Sequence, residues 1–180
     1  MAHAQLLSDT AQVPNADPLT LLRDEVLDPE LGALLWLLFE GGTPLVVTGP
    51  ASKEVRGALA ASLLALAPER AWSVTDADED PPTTERLAAL LRGGAGFAIV
   101  QSGDDLKDWL ARAAATSLPE DGIRRLGVVV VADETARGLR CRAVHYLRPS
   151  ERDGQGHVQR RPPAVLAAWD EATDSYEDYA

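Results

Sequence analysis

The chain has 180 residues, of which 17 are Lys or Arg and 28 are Asp or Glu, and 46% are hydrophobic, enough for one sizeable core. These totals exclude disorder throughout, and the net charge of −11 argues against a general nucleic-acid binder, whose affinity comes mostly from Lys and Arg displacing counterions. The single cysteine, Cys141, excludes an intramolecular disulfide and a thiolate metal cluster, and suits a reducing cytoplasm.

Aromatic residues make up only 5%, so the core is expected to be built largely from Leu, Ala and Val, which fill layers between helices and a sheet. The charge is uneven: Arg124 to Arg161 holds nine Arg against Asp133, Glu134, Glu151 and Asp153. A basic block therefore sits inside an acidic protein. The N-terminus carries no basic, apolar, cleavable signal, and the longest apolar run, Leu31 to Phe39, is far short of the roughly 20 residues that cross a bilayer. A cytoplasmic protein with no membrane span is expected.

Residues 1–17 are small and polar without periodicity and read as a flexible extension; residues 18–180 read as a single domain. Asp28-Pro29-Glu30 starts a helix, with a capping side chain, a proline where no N–H is needed and an acid at the positive helix end. Leu31, Leu34, Leu35 and Leu38 mark one face, and Gly41-Gly42 ends it. Pro44 to Thr48 reads as a buried strand, and Ser52 to Leu66 as the helix after a glycine turn.

Ala71 to Thr75 is a second strand, Asp76 to Pro82 a solvated acidic loop, and Thr84 to Arg92 a helix closed by Gly93-Gly94. Gly96 to Gln101 is a third strand and Asp104 to Ala115 a helix. This alternation predicts a mainly parallel sheet with helices on both faces. From about residue 127 the pattern changes to a β meander: Gly127 to Ala132, Leu139 to Leu147, a turn at Asp153 to Gly156, then Ala164 to Trp169 and Ser175 to Tyr179. His145 is expected on a strand face with Cys141, Ala143 and Leu147.

LVVTGPASKEVRGALAASLLAL lies between a buried strand and a helix N-terminus, where a phosphate-binding loop would lie. Against GxxxxGK[ST], Gly49 matches the first glycine, but Glu54 replaces the second, Val55 the lysine and Arg56 the hydroxyl residue. A carboxylate repels phosphate, Val55 brings no charge, and a guanidinium does not ligate Mg²⁺. Lys53 and Arg56 restore some positive charge outside the motif's lysine position. The plain structural alternative is a tight turn, with Gly49 for backbone freedom and Ser52 as cap.

DPELGALLWLLFEGGTPLVVTGPAS, LAALLRGGAGFAIVQSGDDLKDWLARA and LPEDGIRRLGVVVVADETARGLRCRAVHYL together resemble the hexameric ATPases of type II and type IV secretion and pilus assembly, over about Leu19 to Leu147. The resemblance implies a P-loop NTPase-like (RecA-like) fold followed by the antiparallel meander. It assigns RAWSVTDADED to the family's acidic catalytic box, with Asp76 the best surviving acid. The second acidic motif has no counterpart before Leu87, and Gln101 and Ser102 take the places of the histidine box's histidine and alanine.

The expectation is a non-hydrolysing P-loop homologue acting through protein contacts, as a regulatory or structural partner of a secretion-type ATPase, with no catalytic residue, no cofactor and no metal. Gly49, Ser52, Lys53, Arg56 and Asp76 are the remnant nucleotide site. The alternative is an ATP- and Mg-dependent protein in which Lys53 and Arg56 contact phosphate and Asp76 handles water or metal. A further alternative is a binding module whose basic ribbon, Arg140, Arg142 and Arg148, meets an acidic partner, against solvated arginines on an exposed sheet face. Opposite charge at the two ends also suits a homo-oligomer. His3, His145 and His157 lack metal-ligand spacing.

Overall fold

The structure is a computed structural model that describes residues 17–67, 72–93, 96–116 and 118–179. The expected extension over residues 1–16 lies outside them, as do His3, Arg70, Ala71 and Gly94.

The first elements among the described residues are two helices, α1 (Pro18–Arg23) and α2 (Pro29–Glu40). Each starts at an Asp-Pro pair whose carboxylate accepts a backbone N–H: Asp17 from Leu19 at 2.9 Å and Asp28 from Leu31 at 2.8 Å. Helix α1 has too few residues to show an apolar period and was not expected. Gly42, at φ +80°, ends α2 in the left-handed region that glycine occupies without penalty.

The parallel core follows as β1 (Leu45–Thr48), α3 (Lys53–Leu64), β2 (Trp72–Asp76), α4 (Thr84–Gly93), β3 (Gly96–Val100), α5 (Leu106–Ala115), α6 (Glu120–Arg124) and β4 (Val128–Thr135). The remaining strands are β5 (Gly138–Tyr146), β6 (Glu151–Arg152), β7 (Val158–Gln159), β8 (Ala164–Asp170) and β9 (Ser175–Asp178). The sheet has seven strands in the order β2-β3-β1-β4-β5-β8-β9, and β6 and β7 form a separate ribbon. Strands β2, β3, β1 and β4 pair in parallel; β4 with β5, β5 with β8 and β8 with β9 pair antiparallel. The expectation of a mainly parallel sheet therefore holds for its first four strands only. The meander adds its strands to the same sheet because β4 exposes a free edge and the two-residue connection to β5 is a hairpin.

Alternation along the strands separates two cores. Leu45 and Val47 of β1 face a cluster with Leu35 and Phe39 of α2 and Leu59 and Leu63 of α3. Val46 faces the other side, with Phe97, Leu87 of α4, Trp109 of α5 and Ile123 of α6. Helices α1 to α3 thus cover one face and α4 to α6 the other. The register of β5 slips beside Val131 and Ala132, so Cys141 packs in the first cluster with Val144 while Leu147 packs in the second. The expected shared face of Cys141 and Leu147 is broken by this bulge.

The chain leaves β1 for a helix on one face and leaves β3 for a helix on the other. These neighbouring strands therefore release their loops in opposite directions, and the switch-point crevice of such a sheet falls at their carboxyl ends, here filled by side chains.

Candidate functional site

The crevice holds the turn 49–52 after β1, the turn 76–80 after β2 and residues 101–103 after β3. At its base, Gly49 has φ +119°, and a Cβ there would lie 2.6 Å from the backbone nitrogen of Ala132 and closer still to its carbonyl oxygen. The glycine thus permits both the turn and a backbone-to-backbone approach of β1 and β4. The amide of Ala51 donates to the Ala132 carbonyl at 3.3 Å.

Arg56, at the end of the first turn of α3, points back beneath this strand-to-helix turn. Its side chain is 6% exposed, and Nη1 donates to the carbonyl oxygens of Gly49, at 3.4 Å, and Ala51. Nη2 lies 3.1 Å from Asp78 Oδ2, while Nε is buried without a hydrogen-bond partner among the described residues. The Asp78 carboxylate also accepts from the Ser102 amide at 2.8 Å and the Ser102 hydroxyl at 2.9 Å. One carboxylate is thus held by a guanidinium, an amide and a hydroxyl.

Lys53 pairs with Asp76 at 3.0 Å and with Glu79, whose hydrogen bond, followed by that of Asp76, raises the lysine pKa. Burial opposes ionisation of Asp76, but the Lys53 hydrogen bond and the amides of Asp78 and Glu79 outweigh it and lower its pKa. Asp80 pairs with Arg86 at 3.0 Å. The acidic loop is exposed over Asp78, Glu79 and Asp80, as expected of a solvated loop, and each of its four acids also meets a cation, because the turn lies across the N-terminal half of α3 and the start of α4.

Ser52 occupies the N-cap of α3 but makes no side-chain capping bond there. Its amide donates instead to Glu134 Oε2 at 2.7 Å. An internal carboxylate thus stands at the positive end of α3, where an anion would otherwise be favoured. Asp78, Ser102 and Glu134 as ligands of this turn escaped the reading of the sequence. No local signal marks Glu134: it reaches the turn through strand register, since Thr48 pairs with Val131 and a side chain three residues further along β4 overhangs the turn after β1.

The structure brings Gly49, Ser52, Lys53, Arg56 and Asp76 together in this crevice, and the ion pairs above engage both cations. It does not bring Arg140, Arg142 and Arg148 into one ribbon. Arg140 is only 5% exposed; it donates to the Asp24 and Leu139 carbonyls, lies 3.7 Å from Asp174 and stacks 5.9 Å from the centre of the Trp169 ring. Arg142 instead pairs with Asp133 at 3.3 Å and donates to the Asp104 carbonyl. Arg148 is exposed. The bulge in β5 sends neighbouring arginines to different elements, and hydrogen-bonding capacity makes burial of Arg140 tolerable.

Arg140 also lines a cavity of about 350 Å³ with Leu27, Asp28, Trp169 and Tyr176. Burial pushes the Cys141 thiol up to about 12, which keeps it protonated and poorly nucleophilic. No group of three or more His, Cys, Asp or Glu among the described residues is placed to hold a metal ion. None of their helices is long and apolar enough to cross a membrane.

Fold and crevice together define an α/β protein with a seven-stranded mixed sheet and a strand-to-helix turn closed by its own side chains. In comparisons with known proteins, the chain matches no family model and no curated relative.

Proposed function

We propose that this chain is a non-hydrolysing relative of the P-loop ATPases that acts through protein contacts in the cytoplasm, as a regulatory or structural partner of a secretion- or pilus-type ATPase. The observation that carries this reading is Arg56 beneath the turn after β1, bonded to the Gly49 and Ala51 carbonyls and paired with Asp78. A working phosphate loop aims its amides at the ligand and keeps a lysine free for it. Here the Ser52 amide meets Glu134, and Lys53 meets Asp76 and Glu79.

The parallel order β2-β3-β1-β4, with the turn-bearing strand inside it, supports a RecA-like ancestry. The exposed apolar side chains Trp36 and Leu37 on α2, 46% and 60% exposed, support an outlet in protein association. The deciding experiment is calorimetric titration of ATP and ADP, with and without Mg²⁺, followed by a turnover assay. No binding heat and no turnover from folded protein is the expected result. Micromolar, Mg²⁺-dependent binding with turnover abolished by a change at Arg56 or Asp76 would replace this reading with the enzyme alternative.

A further inference from the structure

The carboxylate of Asp78 is gripped as a bound anion would be. Its donors, the Arg56 guanidinium and the Ser102 amide and hydroxyl, come from α3 and from the end of β3, two elements fixed independently by the core. The acceptor comes from a five-residue turn tied to the sheet by the Ala77 amide on the Val100 carbonyl, at 2.8 Å; Ala77 is buried in the second core cluster, whereas Asp78, Glu79 and Asp80 of the turn are exposed. The donors have spare capacity, because Arg56 Nε is buried and unpaired among the described residues. Lys53 stands over the same turn and holds it through Asp76 and Glu79.

We propose that the 76–80 turn is a latch, in which the Asp78 carboxylate fills an oxyanion site made by Arg56 and Ser102, and that a free oxyanion of the phosphate type competes with it for that site. Guanidinium forks and adjacent N–H and O–H donors suit tetrahedral oxyanions as well as carboxylates. A phosphate dianion brings more charge to Arg56 and Lys53 than the carboxylate it displaces. The donors differ from those of a phosphate loop, whose amide counterpart at Ser52 is held by Glu134. The proposal does not rest on descent from an ATPase, and a negative ATP titration leaves it standing.

The test is titration of inorganic phosphate at constant ionic strength, with chloride as the balancing anion, into the unaltered protein, Asp78→Asn, and Asp78→Asn combined with Arg56→Gln. Asp78→Asn is expected to bind phosphate about tenfold more tightly than the unaltered protein, and the double variant to lose the gain. Equal affinity in Asp78→Asn and the unaltered protein, or a gain that survives Arg56→Gln, would overturn the latch. A readout that needs no variant is the Ser102 amide resonance of the unaltered protein. It is expected to move on adding phosphate on the order of tens of millimolar and not on adding chloride, since a tethered carboxylate competes at millimolar effective concentration or above. A resonance that stays fixed overturns the proposal even if the variants do not fold.

Discussion

Arg56 and Asp78 form an ion pair of unequal burial: the two side chains are 6% and 29% exposed, with Nη2 and Oδ2 3.1 Å apart. The inequality predicts unequal costs. Asp78→Ala strands a deeply buried guanidinium and is expected to cost about 2–4 kcal/mol, whereas Arg56→Met leaves a partly exposed carboxylate still bonded to Ser102 and costs about 1–2 kcal/mol. Urea unfolding of the two variants checks the order; a larger loss in Arg56→Met would show that the carbonyl contacts of the guanidinium outweigh its charge pairing.

Gly49→Ala tests the close approach of β1 and β4. The new methyl meets the Ala132 backbone at a φ of +119°, and neither side is a flexible chain end, so the expected cost is about 4 kcal/mol or more. Thermal unfolding should show a collapse of stability or loss of soluble protein. A near-neutral result would mean that the two strands separate readily here.

His145 gives stability a pH dependence. Burial holds its pKa below the ordinary 6.5, opposed by the Asp105 charge. Below pH 6.5 the unfolded chain takes up a proton that the folded one resists, so stability falls as pH drops from 6.5 towards the lowered folded pKa. His145→Gln should flatten that slope in denaturant titrations across the window, and an unchanged slope would assign it to other groups.

Arg140 and Arg148 should respond unequally to truncation. Arg140→Ala removes a buried stem, its contact with Trp169 and the donors to the Asp24 and Leu139 carbonyls, so a loss of about 2–3 kcal/mol is expected, together with altered tryptophan fluorescence. Arg148→Ala, on the surface, should leave the melting curve unchanged. Loss of a binding partner in an Arg140 variant is therefore interpretable only beside its melting curve.

Much of the secondary structure was legible because local chemistry specified it. Asp28-Pro29 starts α2, Gly42 ends it, and the apolar run from Leu45 to Thr48 lies wholly inside the sheet. The helices α1 and α6, of six and five residues, were missed because they are too short to display a 3.6-residue period. Residues 49–56 stood out in the sequence, since a strand, a glycine and a helix start are local signals. Their ligands did not.

By itself, then, the sequence determined an α/β chain with a glycine turn after its first strand, and with Glu54, Val55 and Arg56 where the phosphate-loop motif has glycine, lysine and a hydroxyl residue. Only the tertiary structure decided where the charges go. Arg56 and Asp78 are 22 residues apart, and Ser52 and Glu134 are 82 apart. Such partners are chosen by strand order and register, which follow from burying two apolar faces at once and leave no mark on any short stretch of chain. The same cause split Arg140 from Arg142: one bulge in β5 turned an apparent basic ribbon into a buried support and a crevice-side ion pair.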